Sequence, residues 1–336
     1  MLFAPHELAF RTQYAELKER VFSTGPLLPG TPGSLALRRG TGHSYWYRVY
    51  YPVPGRQSEE LVAKEAGTGL EAMRERMAMA EWVATQVSHL RKLGFQVADK
   101  AVARVLVQLH NEGAFEAGLV LVGTLGYMAI LNEIGVRSVT ARTMDIDLAR
   151  GHPLKLTTGK PWLDTLRATG LPFTAVPGMP GMRSPTAAKL PGADGVRVDL
   201  LSPGATPGKP VAIPELSWHA QGLPYYDYLL EDPERGAMLA GGHCIPVRLP
   251  RAARFAVHKL FSAAVRRGSP EKAEKDRRQA LTLMAALAAD EPEALSDAFR
   301  SAPRAMVAKI KPRRDALVKA LESYPEARDI VTRALR

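Results

Sequence analysis

Gly118-Leu-Val-Leu-Val-Gly-Thr124, followed by Thr143-Met-Asp-Ile-Asp147, carries most of the information in this chain. Gly118–Val122 is short and wholly apolar apart from its glycine, the pattern of a central strand covered on both faces. Gly123-Thr124 then leads into a helical pattern that reaches about Ile134. A second strand is expected from Thr143 to Leu148. Alternate side chains of a strand project to one side, so Asp145 and Asp147 stand together. Two carboxylates held that close raise each other's pKa, and a divalent cation such as Mg²⁺ resolves the conflict. An exposed strand edge also produces Asp-x-Asp, and a plain helix cap with a tight turn also produces Gly-Thr. The free N–H groups of a helix start attract a phosphate, glycine lets it approach, and the threonine hydroxyl can cap the helix or donate to an oxygen. No Walker-type Gly-x-x-x-x-Gly-Lys occurs here.

Outward from this centre, Val196-Arg-Val-Asp-Leu-Leu201 is a later strand interrupted by Asp199. An acid among β-formers needs solvent, a cation or a metal; pairing with Arg197 is one such solution. With Asp145 and Asp147 it completes the three carboxylates of a two-metal phosphoryl-transfer site, and it could act as general base. Between these strands the pattern predicts a helix near 160–168, a strand near 172–176 and a long Pro/Gly-rich loop over 177–194.

The N-terminal part reads as an amphipathic helix over 5–23, with Leu8, Tyr14, Leu17 and Val21 near one face. A Pro/Gly linker, Gly25–Gly33, follows. The aromatic strand Ser44-Tyr-Trp-Tyr-Arg-Val-Tyr-Tyr51 is expected to pair with the segment around Leu35–Leu37. Beside Arg38, Arg39 and Arg48 it could stack nucleic-acid bases or simply pack a small sheet. Helices are expected over 69–93 and 98–111, and from Pro250 onward the pattern is helical in four or five pieces. The fold class is therefore α+β: a mixed sheet with flanking helices, an N-terminal helical and hairpin region, and a C-terminal helical bundle. The expected boundaries are 1–113, 114–249 and 250–336.

The 336 residues carry a net charge of +11, of which residues 250–336 contribute +8 from 19 basic and 11 acidic side chains. Such a surplus suits a polyanionic partner or solubility. One cysteine, Cys244, excludes a disulfide framework and a Cys-rich zinc site and reads as a small buried residue. The start of the chain lacks a secretory pattern, and the uncharged stretch Ala117–Leu131 is too short to span a bilayer. The expectation is a cytoplasmic protein with no membrane partner.

Gly123-Thr124, Asp145-x-Asp147 and the single Asp199 together resemble the nucleotidyltransferase superfold of DNA polymerase β and kanamycin nucleotidyltransferase. Gly33-Ser-x-x-x-Arg38, Tyr45-Trp-Tyr47 and Phe255-Ala-Val-His-Lys-Leu260 add a resemblance to bacterial nucleotidyltransferase-like proteins related to AbiE-type abortive-infection toxins. The chain departs from the wider superfold in having Gly-Thr for Gly-Ser or Gly-Gly and a long connection from Gly123 to Asp145. The resemblance implies a metal-dependent transfer of NMP from an NTP to an acceptor hydroxyl. Asp145, Asp147 and Asp199 would be catalytic and hold Mg²⁺ or Mn²⁺, and Gly123, Thr124, Thr143, Lys259, Lys272, Lys275 and Asp276 would bind the nucleotide. Lys272 and Asp276 are also spaced as a solvated i,i+4 ion pair, and His258 reads as structural. The acceptor implied is RNA, tRNA first, or a protein side chain, and an antitoxin is an implied partner. The alternative is a nucleic-acid-binding module that has kept the fold without chemistry.

Overall fold

A computed structural model describes residues 1–336 except 41, 54, 66, 140–142, 157–158, 178–183 and 193–194. The N-terminal part runs β1 (Ala4–Pro5), α1 (Leu8–Phe22), β2 (Ser34–Arg39), β3 (Ser44–Val53), β4 (Arg56–Lys64), α2 (Gly69–Lys92) and α3 (Lys100–Asn111). In α1 the buried residues are Tyr14, Leu17 and Val21, while Leu8 lies in solvent, outside the expected face. The aromatic strand pairs with β2 as expected, and β4 adds a third antiparallel strand that sequence pattern did not suggest. Arg48 is fully buried in this sheet. It donates to the carbonyls of Pro29, Thr31 and Pro32 and to Glu60. Of the two readings open for the strand beside Arg48, this burial agrees with the packing of a small sheet: the guanidinium ties the Pro/Gly linker to it.

The central part contains β5 (Leu119–Leu121), α4 (Gly123–Glu133), β6 (Val136–Arg137), β7 (Asp145–Arg150), α5 (Trp162–Arg167), β8 (Thr174–Val176) and β9 (Ala187–Lys189). It continues with β10 (Arg197–Pro203), β11 (Pro210–Ile213), β12 (Trp218–Leu223), α6 (Tyr226–Leu229), β13 (Glu234–Ala240) and β14 (His243–Leu249). The main sheet has the order β11-β12-β10-β7-β5, with β9 on the first half of β10 and β8 outside β9. It is mixed: β7, β10 and β12 are parallel, while β5 and β11 run against them. Ile146, Leu148, Val198 and Leu200 are fully buried on one face, so period-two alternation turns Asp145, Asp147, Arg197 and Asp199 to the other. Much of the loop expected over 177–194 lies outside the described residues; the described part supplies β9.

α7 (Ala252–Val265), α8 (Pro270–Asp290), α9 (Pro292–Ser301), α10 (Arg304–Ile310), α11 (Arg314–Ala320) and α12 (Pro325–Ala334) follow, one piece more than the expected maximum. One apolar cluster contains residues from Ala98 to Leu335, so the C-terminal helices share the core of the sheet. A smaller cluster joins α1 and α2 to the β13–β14 hairpin. Cys244 is buried there, as expected, and burial pushes its thiol pKa up. No helix among the described residues is long and apolar enough to cross a membrane.

Candidate active site

The site starts from the pairing of β7 with β10. In this parallel register Arg197 lies beside Asp145, Val198 beside Ile146 and Asp199 beside Asp147. Adjacent strands are about 4.8 Å apart, so three carboxylates and one guanidinium share a small patch. Asp145 is exposed, and Asp147, Arg197 and Asp199 are half-buried. The Asp147 carboxyl pKa is pushed up to about 6, first by burial and then by Asp199 and Asp145. Lys259 and Lys275 pull in the other direction without restoring the ordinary value. The strand begins at Asp145, two residues later than expected: Thr143 lies before it, and its hydroxyl accepts the Asp145 N–H at 3.1 Å. Thr143 therefore shapes the entry to the acid strand.

Gly123 closes one side. Val122 N–H donates to the Asp147 carbonyl at 2.9 Å, carrying the chain past the end of β5 alongside β7. There Gly123 takes φ +64°, and a Cβ at this position would run into the Asp147 carboxylate. Both requirements select glycine. Among the described residues no side chain caps the start of α4, which leaves its first N–H groups and the positive end of its dipole to an anion. The Thr124 hydroxyl does not cap the helix; it accepts from Lys275 Nζ at 3.2 Å.

The opposite wall comes from α7 and α8. Asp276 is buried on α8 and accepts from Lys259 at 2.7 Å and from Arg266 at 2.8 Å. Burial alone would raise the Asp276 carboxyl, but Lys259 and Arg266 outweigh it and hold the pKa below the ordinary range. The i,i+4 pairing of Asp276 with Lys272 is thus replaced by bonds to α7 and to Arg266 just beyond it. Lys272 is exposed on the first turn of α8, close enough to help lower the pKa of Lys275, whose largest cause is burial, followed by Lys259. His258 is buried; its Nε2 meets the Pro224 carbonyl at 3.4 Å and its pKa falls to about 4, mainly through burial, which fits a structural role.

The structure thus brings Gly123, Thr124, Asp145, Asp147, Asp199, Lys259, Lys275 and Asp276 together in one cluster. Sequence reasoning underused Arg197, whose two-residue offset from Asp199 puts it on the same face, and missed Arg266 and Tyr226. The Tyr226 phenol is buried and its pKa is raised, first by burial and then by Asp147 and Asp276. Its ring packs edge-on against His258 at 5.1 Å, beside Lys259 on α7. Tyr225 before it adopts φ +59°, a conformation costly for a bulky residue and common near functional sites.

Hard carboxylate oxygens with excess negative charge suit a divalent cation bound with water. As the side chains stand, no group of three His, Cys, Asp or Glu among the described residues has metal-holding geometry. Arg197 holds both oxygens of Asp199, at 2.7 and 2.8 Å.

No curated protein and no solved structure matches the chain. A family model described as nucleotidyltransferase matches residues 100–304, from the start of α3 to the start of α10. The match contains the Gly-Thr turn, the three acids of the sheet and the lysines of α7 and α8. With three-fifths of its length inside that match, the chain belongs to the nucleotidyltransferase family.

Proposed function

We propose that the chain transfers a nucleoside monophosphate from an NTP to an acceptor hydroxyl, using Asp145, Asp147 and Asp199 with Mg²⁺ or Mn²⁺. The observation that carries the reading is the β7–β10 register, with three carboxylates opposite two lysines and beside an uncapped helix start. Bound there, a divalent cation would neutralise triphosphate charge and favour the acceptor alkoxide. The N–H groups of Gly123 and Thr124 receive phosphate oxygens, and Lys259 and Lys275 balance their charge. Asp276 fixes the direction of Lys259, while Thr143 fixes the start of β7. Asp199 accepts the acceptor's proton; the acceptor oxygen attacks the α-phosphorus and pyrophosphate leaves.

An RNA acceptor, with tRNA first, is supported by charge. Residues 304–319, covering α10 and most of α11, contain six basic side chains and one acidic one. Arg304, Lys309, Lys311, Arg313 and Lys319 are exposed, whereas Met306, Ile310 and Leu317 point into the core. Such a surface suits a phosphate backbone. It also supports the second reading, a nucleic-acid-binding module without chemistry. The resemblance to AbiE-type toxins supports a toxin role in a toxin–antitoxin or phage-defence system, with a protein side chain as the other acceptor class and an antitoxin as partner.

Each α-labelled NTP, incubated with Mg²⁺ or Mn²⁺ and either total RNA or total protein, tests the reading. Transfer lost in Asp145→Ala supports it; salt-sensitive RNA binding without transfer, unchanged in Asp145→Ala, supports the module.

A further inference from the structure

The acid face carries a fourth charged group that the transfer step does not use. Arg197 precedes Asp199 by two residues, so both project from the same face of β10, and the register sets Arg197 next to Asp145 on β7. Its Nε donates to Asp199 Oδ2 at 2.7 Å and its Nη2 to Oδ1 at 2.8 Å. This planar fork occupies both carboxylate oxygens. A guanidinium held this way supplies positive charge to a patch that otherwise contains three acids. It also competes for the oxygens that a cation would need. The Arg197 side chain is 37% exposed and that of Asp199 14%. The pair therefore stands at the open side of the sheet, where the arginine can swing into solvent without disturbing Ile146, Val198 or the core beneath.

We infer that Arg197 is a resident counter-ion and positioning residue of the acid face, aiming Asp199 in the cation-free protein and giving it up when a divalent cation binds. The inference rests on the metal-dependent reading above. An ion pair that only braces the strand would lower stability when broken and leave cation affinity unchanged or weaker. A displaceable counter-ion has the opposite signature: its removal weakens the cation-free protein and strengthens cation binding.

Mn²⁺ binding to the full chain, followed by loss of the free-ion paramagnetic resonance signal, distinguishes these roles in wild type, Arg197→Gln and Arg197→Lys. Arg197→Gln is expected to bind Mn²⁺ about fivefold more tightly, the factor set by a partly exposed ion pair of ~1 kcal/mol. Arg197→Lys keeps a charge but loses the fork, and its gain is expected to be smaller. In chelator, Arg197→Gln melts below wild type, and Mn²⁺ closes that gap. Unchanged or weaker Mn²⁺ affinity in both variants, with binding abolished by Asp147→Asn, overturns the role of Arg197 alone. Mn²⁺ binding that survives Asp147→Asn overturns the cation reading and this inference with it.

Discussion

Replacing Asp147 by Asn changes one oxygen to an amide nitrogen and removes a titration that the native fold resists. The folded carboxyl pKa lies at about 6 against an ordinary 3.8. At ~1.4 kcal/mol per unit, ionisation of Asp147 costs about 3 kcal/mol of native stability once complete. Because the folded value is raised, stability is fully present below pH ~4 and is lost as pH climbs through 6. Roughly 1.4 kcal/mol of the loss falls between pH 5 and pH 8, by the same linkage relation. Asn has no such titration. Denaturant unfolding of both proteins in chelator, at intervals from pH 5 to pH 8, should therefore show Asp147→Asn gaining about 1.4 kcal/mol relative to wild type. Saturating Mg²⁺ should reduce that gain by stabilising the ionised wild-type site. A stability difference that is flat across this range, or one that moves in favour of wild type as pH rises, would refute the reasoning.

Gly123→Ala places a methyl group against the Asp147 carboxylate at a backbone φ of +64°. It should lower stability by about 1–3 kcal/mol and abolish nucleotide binding, as measured by thermal unfolding and NTP titration. Asp276→Ala leaves the half-buried Lys259 and the Arg266 guanidinium without their shared partner. A loss of about 3 kcal/mol in denaturant unfolding is expected, together with weaker NTP binding; an unchanged unfolding midpoint would show that the pair carries little.

The acid strand was legible because Asp145 and Asp147 obey the two-residue period between buried Ile146 and Leu148, and the Gly-Thr turn followed from a short apolar run ending in glycine. What escaped depended on neighbours distant in sequence. β4 reads Arg-Gln-Ser-Glu-Glu-Leu-Val-Ala-Lys, too charged to announce a strand, and exists because β3 supplies its ladder. β13 reads Glu-Arg-Gly-Ala-Met-Leu-Ala, poor in β-formers, and is held by β14 and by burial against α4. Helical spacing offered Lys272 to Asp276, but a buried carboxylate takes the cations that reach its own depth, here Lys259 on α7 and Arg266 just beyond it. Sequence left Arg48 open between base stacking and sheet packing, and the carbonyls of Pro29, Thr31 and Pro32 gathered around its guanidinium fit the packing. Arg197 was visible by the same period as the acids, yet its pairing with both oxygens of Asp199 depends on a side-chain conformation that no spacing specifies.

The most direct test of the central claim compares ATP, CTP, GTP and UTP labelled at the α- or the γ-phosphorus, using wild type and Asp147→Asn with Mg²⁺ and total cellular RNA and protein. Nucleotidyl transfer predicts label on a macromolecule from the α position only, with pyrophosphate released, and loss of that label in Asp147→Asn. Label arriving from the γ position, or α-label transfer that persists in Asp147→Asn, would contradict it.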